Sequence, residues 1–425
     1  MSAPVMAGAN GASAAQMAQA QAQAVDAANA LYMAKSLEKV ALADSPGGAL
    51  NQAWSAGTAL TFTLGDKAGG WLKRLRFTYN LTFTNTPGTG AATTNAAAPY
   101  NIIQEIDVNY GGVHFRTRPY YVKVIAEARR FQGFAVPYVV AAPFQHNSTI
   151  DTNLRAFTAG AQASGATTWT FTQEIPLNAL HALNPSGMVP LSGVSNDVQV
   201  TVMCAPSLTG PDPLNNAMVL TGTAALSAIS GTVAVEGIYT DGLTMDGTSR
   251  LALDLSNVPT TQMWWDNPLM NMTAGGMRRQ RITKELRHQF VGLIAIDGQQ
   301  SNTFVSSESN FTGFELDADS SGDVPFLRFG ATLGANISIY HYYEQIRRTY
   351  GQDFDPGVLI LVDAAARNIA DASTQQGRQQ LDMTPSGWPG VNYGVYLGAV
   401  STANSITPRL ECFGIGVNPL PFQGS

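Results

Sequence analysis

Oxygen-bearing side chains recur at alternate positions in Asp317-Ala-Asp319-Ser-Ser321-Gly322-Asp323. A calcium loop opens with this spacing, placing ligands at positions 1, 3, 5 and 7 and a glycine at 6 for the sharp turn. Position 12, where such a loop needs a bidentate glutamate, is Arg328. A cation in place of that ligand argues against an EF-hand, and an Asp/Ser/Gly turn between strands accounts for the same letters. Glu105 with Asp107, and Glu315 with Asp317, each put two acids on one face of a strand. Glycoside hydrolysis needs two carboxylates, but facing each other across a cleft. Trp264-Trp265-Asp266 is the nearest approach to an aromatic platform for a sugar. His114, His146, His181, His288 and His341 include no pair at metal-ligand spacing, and HExxH, GxSxG, Walker A and GxGxxG patterns are absent. The residues therefore predict no catalytic, cofactor or metal site, and no enzyme.

Composition narrows the partners. Net charge is −6, whereas binding phosphates calls for clustered Lys and Arg, so direct contact with nucleic acid is not expected. The densest basic run, RRQRITKELR at 278–287, already contains Glu285 and reads as a solvated or salt-bridged stretch. Charged residues make up 13% of the chain, about half the usual share. Such a surface suits a protein that packs many faces against neighbours, because desolvating charges is costly; a loop-rich β protein with a neutral polar surface fits it too. Cys204 and Cys412 sit alone in apolar stretches and read as buried thiols compatible with a reducing cytoplasm. The first 34 residues lack Lys and Arg, and no apolar run is long enough to span a bilayer, so a soluble protein without a standard export signal is expected.

The elements carrying these residues fall into three segments: 1–45, 46–242 and 243–425. The first is rich in Ala and Gln, strong helix formers, and is predicted to be a helical arm over 13–43, stopped by Pro46-Gly47-Gly48. Its thin apolar stripe is Met17, Val25, Tyr32, Leu37 and Val40, which are the candidate docking residues. From residue 58 the period changes to two. Leu75, Phe77, Tyr79, Leu81 and Phe83 alternate with polar residues, and similar runs follow through both later segments. Each of those segments offers one helix, at 119–131 and 338–350. Strands that do not alternate with helices predict two tandem antiparallel jelly-roll β-sandwiches. Long polar loops at 85–99, 158–168 and 370–390 would have to protrude or be held by neighbouring subunits.

The third segment also echoes the second. Ile106-Asp107, a Gly turn and YYVKVIAEARRFQG reappear as Leu316-Asp317, a Ser/Gly turn and YYEQIRRTYG. Each copy runs strand, turn and a helix opening near a Tyr pair and closing near an Arg pair. This predicts one β-rich unit used twice.

These segments resemble the double jelly-roll major capsid proteins of tailless, membrane-containing bacteriophages, the tectivirus-like group. The resemblance rests on the Ala/Gln-rich helix, on PYNIIQEIDVNYGGVHFRTRPYY, on LRHQFVGLIAIDGQQSNTF and on YYEQIRRTYGQDFDPGVLILVDAAAR. It implies a homotrimer with pseudo-hexagonal outline that tiles an icosahedral shell over an internal membrane. It also implies neighbouring capsomers and minor capsid or vertex proteins as partners, loop-built towers, and a place in the virion after assembly in the host cytoplasm. The arm would lie on the inner side, near lipid or adjoining trimers. Its near-neutral charge fits a shell separated from its genome by membrane. The 370–390 loop has no placeable counterpart. The rival readings are a β-sandwich virion spike or carbohydrate-binding protein and, more distantly, a two-domain hydrolase.

Overall fold

A computed structural model describes residues 14–44, 49–65, 70–110, 113–129, 157, 159–177, 185, 187–191, 197–254, 259–269, 277–282, 287–296, 311–317, 325–329, 344, 350, 354, 357–363, 381–382, 396–401 and 409–421. Helix α1 (Ala14–Lys35) leads into β1 (Ser36–Leu42), β2 (Gln52–Ala53), β3 (Ala59–Leu64), β4 (Trp71–Thr86) and β5 (Ala92–Thr94). Next come β6 (Ile103–Tyr110), β7 (Val113–Thr117), helix α2 (Pro119–Arg129), β8 (Gly165–Pro176), β9 (Val189–Pro190), β10 (Val198–Cys204), β11 (Met218–Leu220) and β12 (Ala225–Thr244). The later part of the chain contributes β13 (Pro259–Leu269), β14 (Met277–Arg281), β15 (Arg287–Ile296), β16 (Phe311–Asp317), β17 (Pro325–Phe329), β18 (Val358–Asp363), β19 (Leu381–Asp382), β20 (Tyr396–Ser401) and β21 (Arg409–Pro421).

Period-two patterning drives the assembly. On β4 the side chains of Leu75, Phe77, Tyr79, Leu81 and Phe83 are fully buried, while the alternate positions face outward. β8 answers with Trp169 and Phe171 inward, and its outward threonines meet those of β4: Thr82 with Thr168 at 3.0 Å and Thr78 with Thr172 at 3.4 Å. Pro119 occupies the first position of α2, where its missing N–H costs nothing, and Tyr121, Ile125 and Ala128 are buried as their spacing predicts.

The sheet orders make the duplication explicit. The first unit has one sheet ordered β1-β12-β4-β8 and another ordered β3-β10-β6-β7. The second unit has β13-β21-β15-β18 and β14-β20-β16-β17. Substituting β13 for β1, β14 for β3, β15 for β4, β16 for β6, β17 for β7, β18 for β8, β20 for β10 and β21 for β12 turns one pair of orders into the other. All these neighbours are antiparallel. Eight strands in two facing runs of four with this order form a jelly roll; β2 and β9 add to the first sheet of the first unit, and β19 adds to its counterpart in the second. The sequence echo falls on the counterpart hairpins β6–β7 and β16–β17. Of the second predicted helix, Glu344 and Tyr350 are described and helical, and the remainder lies outside the described residues.

Two expectations are corrected. The helical arm does not run to residue 43. It ends at Lys35, and Ser36–Leu42 is the first strand of the first roll, pairing with β12 from Ser36↔Thr244 to Leu42↔Glu236. Glu38, Lys39 and Val40 can satisfy a strand's alternation as readily as a helix's, and the open edge of β12 decides for the strand. The 85–99 loop, in turn, is held by its own roll. β5 pairs with β11. Asn95 donates to the carbonyls of Gly210 and Asn216, and Asn101 donates to those of Pro213 and Asn216. The 158–168 loop joins this cap where Gln162 N–H donates to Ala92 O. The 370–390 loop lies outside the described residues except for β19, which pairs with β15. Among the described residues no helix is long and apolar enough to cross a membrane.

Candidate functional site

Among the described residues, a constellation of charged and aromatic side chains lies where the two rolls meet. Arg118 stands in the short link between β7 and α2, with 5% of its surface exposed. Its guanidinium donates to Asn215 Oδ1 at 2.8 Å, faces Glu411 on β21 at 3.4 Å and lies over the Trp265 ring of β13, 4.4 Å from its centroid. Burial is the largest single influence and opposes the charge, but Glu411, Tyr121, Asp212 and Glu105 together outweigh it, so the pKa of Arg118 stands above its ordinary value. The Tyr121 hydroxyl donates to Glu411, and the Tyr121 ring stacks on Phe413 at 4.5 Å and 11°. Trp265 Nε1 donates to Glu105 Oε2 at 3.0 Å. These contacts join the second roll to the first through buried, charge-assisted hydrogen bonds and ring stacking.

Local sequence explains the geometry. Trp264 and Trp265 are consecutive on a strand and so point to opposite faces. Trp264 turns into the core of the second roll, and Trp265 turns toward the first. Phe413 can lie flat because its neighbour across the ladder is Gly292, where a Cβ would collide with the Phe413 ring. The Trp-Trp-Asp run is therefore part of a joint, and no sugar platform forms there.

The two acid pairs are likewise engaged in structure. Asp107 meets Arg116 at 3.2 Å and His114 Nε2 at 2.6 Å on the paired strand. Glu315 and Asp317 are buried. Glu315 is bonded by Arg328 at 2.9 Å and by Arg279, which reaches it across Gly398 of the intervening strand. Each roll thus carries the same device, two acids on one strand answered by an arginine on the next. Arg328, the residue that spoiled the calcium pattern, lies 4.0 Å from Asp317. Asp319, Ser321 and Asp323 lie outside the described residues, and among those described no group of three or more potential ligands could hold a metal.

His146, His181 and His341 lie outside the described residues, and His288 is described only as a backbone position in β15. Cys204 and Cys412 are buried and reduced, and burial pushes both thiols up. A cavity of about 350 Å³ opens beside Trp54, Pro206, Leu208, Leu220, Leu226 and Ile229, and no titratable side chain lines it. In the basic run, Arg278, Gln280 and Arg281 are exposed while Arg279 serves Glu315.

Of the proposed arm contacts, Met17 is 58% exposed and Val40 53%, while Val25 and Leu37 are half-buried. Tyr32 is turned into its own chain. It packs with Met33 and Met188 against Trp71, Leu251 and Leu253, and its hydroxyl donates to Thr240 O at 3.2 Å. It anchors α1 and offers nothing to a neighbour. The joint residues Arg118, Glu411 and Phe413 were missed by sequence reasoning. Their only local signal was the Arg-Pro-Tyr-Tyr opening of α2.

No protein-family model matches the chain, and no curated protein does. Its backbone does match solved structures. The atomic structure of Sulfolobus Turreted Icosahedral Virus gives a TM-score of 0.55 at 12% identity, covering 89% of this chain and 90% of that one. The crystal structure of the same virus's major capsid protein gives 0.53 at 12% identity, covering 89% and 96%. PBCV-1 VP54, fitted into a reconstruction of the virophage Sputnik, gives 0.53 at 10% identity, covering 90% and 94%. The fold is the double jelly roll of viral major capsid proteins. The match extends over both rolls, since it covers 89% of this chain.

Proposed function

We propose that the chain is the major capsid protein of an icosahedral virion, a structural subunit without catalytic activity. The observation that carries the reading is the length of the structural match, which includes 96% of a viral major capsid protein as well as 89% of this chain. A spike or sugar-binding module would need one sandwich, not two rolls locked through Arg118, Trp265 and Glu411. The chain divides into an arm ending at Lys35, a first roll from Ser36 to Thr244 and a second from Pro259 to Pro421. Three copies present six similar rolls and form a homotrimer of pseudo-hexagonal outline, which tiles a shell together with minor capsid or vertex proteins. The exposed face of α1 lies on the inner side, toward neighbouring capsomers and the lipid of an internal membrane. Assembly takes place in the host cytoplasm, and kinship is with the tailless, membrane-containing bacteriophages.

Light scattering and negative-stain imaging of the purified protein at moderate salt test this. The expected particle is a hexagonal trimer of about 135 kDa, three times the 45.0 kDa chain. A stable two-lobed monomer at all concentrations refutes it.

A further inference from the structure

A bulge in β12 builds a pocket in the first roll. Ser227 pairs with Thr84 and Ser230 with Thr82, so Ala228 and Ile229 together stand opposite the single residue Phe83. Ala228 takes a φ of 49°, the left-handed region that a residue with a Cβ enters only at a cost. On a regular strand Leu226 and Ile229, three positions apart, would point to opposite faces. The extra residue re-aims the strand, and both side chains line one cavity of about 350 Å³. Backbone strain persists only where the surrounding structure holds it, and it gathers at ligand sites.

The other walls are fixed before any ligand arrives. Trp54 is held through its backbone N–H, which donates to Gly231 O at 2.9 Å, and through Nε1, which donates to Ile102 O at 3.0 Å. Gly231 makes room for it, since a Cβ there would press on Trp54 Cβ and on Asn80 O. The Pro206–Thr209 wall is tied down where Leu208 O accepts from Met218 N–H at 2.9 Å and Ser207 O accepts from Asn216 Nδ2 at 3.1 Å. A largely preformed concavity of this volume lies at the lower end of the range for small-molecule sites, roughly 300–1,000 Å³.

The lining states what would fit. Among the described residues no charged side chain reaches it, so an ionised ligand would lose its water and find no counter-charge. Leu208, Leu220, Leu226 and Ile229 supply apolar surface, and Ile229 is 42% exposed because its own chain does not cover it. The polar groups are few. Ser207 Oγ is already engaged with the backbone of Thr209 at 2.9 and 3.2 Å. The hydroxyls of Ser55 and Thr209 line the cavity and make no hydrogen bond among the described residues. A sugar would leave most of its hydroxyls unpaired here, and Trp54, 7% exposed, offers it no open ring face.

We propose that this pocket binds an uncharged, mostly apolar ring compound carrying a single hydroxyl, an aromatic or alicyclic alcohol. Its ring would lie between Leu208, Leu226 and Ile229, and its hydroxyl would meet Ser55 or Thr209. Bound there, it would bridge the bulge of β12 to the segment following β10 and stabilise the first roll by mass action. The site is independent of the capsid reading.

The test uses the full chain and three probes that share one ring system: 2-naphthol, naphthalene and the carboxylate 2-naphthoate, followed by titration calorimetry and thermal melts near neutral pH. The expected result is saturable binding of 2-naphthol at one site per chain with a rise in melting temperature, and binding of 2-naphthoate weaker by roughly tenfold or more. No saturable binding of 2-naphthol overturns the proposal, and so does 2-naphthoate binding as tightly. Saturable binding of methyl glucoside in its place makes this a sugar site and overturns the ligand class. Ile229→Trp fills the mouth from an exposed position and should weaken 2-naphthol by roughly tenfold or more. If that variant unfolds, Ile229→Ala removes one apolar wall and should weaken it several-fold. Unchanged affinity in the folded variant means the probe sits elsewhere and overturns the site. Ser55→Ala/Thr209→Val should bind 2-naphthol no better than naphthalene, and a preference for 2-naphthol kept at its wild-type size overturns the role of the two hydroxyls.

Discussion

Replacing Arg118 by methionine tests whether the two rolls are held by the ion pair or only by apolar contact. The substitution keeps most of the side-chain volume and removes the charge that faces Glu411, the bond to Asn215 and the cation over Trp265. Glu411 is 2% exposed, so solvent cannot take over from the lost cation. Removing one member of a buried pair costs about 3–5 kcal/mol, because the remaining charge is left in a medium that solvates it poorly. Spread over a unit of this size, that lowers the melting temperature by on the order of 10 °C. The companion variant Arg118→Met/Glu411→Met removes both charges. Apolar replacements of a buried pair are often neutral or stabilising, so the double variant should regain most of the loss. Thermal melts and urea titrations, followed by circular dichroism and tryptophan fluorescence, close the double-mutant cycle. A single variant within about 1 kcal/mol of wild type refutes the reasoning. So does a double variant no more stable than the single.

Deleting residues 1–35 should leave a folded protein, since Tyr32 and Met33 are the only buried apolar side chains of α1 among the described residues, worth about 1.5–3 kcal/mol each. Deleting 1–45 should cost far more because it strips β1 from the edge of β12, and equal melting temperatures for the two truncations contradict this. Gly292→Ala should destabilise by about 1–3 kcal/mol, because the added methyl meets the Phe413 ring; an unchanged urea midpoint contradicts it. Glu38 loses some of its acidity advantage to burial, but the bond from Lys73 and the charges of Arg74, Lys73 and Arg76 hold its pKa below the usual value. Its stabilisation is therefore complete above about pH 4.3, the unfolded value, and lost as pH falls through the lower folded value. The carboxylate is more than a third exposed, so the effect is screened to about 1 kcal/mol or less. Glu38→Gln should flatten the decline in melting temperature below about pH 4.3, and an unaltered acid slope refutes that role.

The residues themselves determined the architecture to a considerable depth. Alternation on β4 and β10 follows from a side-chain period of two, which any half-buried strand must obey, so the β class was legible locally. The repeated hairpin was legible too, because Ile106-Asp107 and Leu316-Asp317 stand at corresponding ends of the echoed segments, on the counterpart strands β6 and β16.

Three-dimensional structure decided matters that depend on partners distant in the chain. Ser36–Leu42 has no local reason to leave a helix; it becomes a strand because β12 presents an edge more than 190 residues later. Arg118 and Glu411 give no signal to each other in the sequence, since they meet only after both rolls have folded. The same holds for Trp265, whose neighbours in the chain suggest a sugar platform and whose neighbours in space make it the hinge of the joint. A strand's alternation is written along the chain, whereas the burial of a charge is set by whatever arrives from elsewhere to cover it.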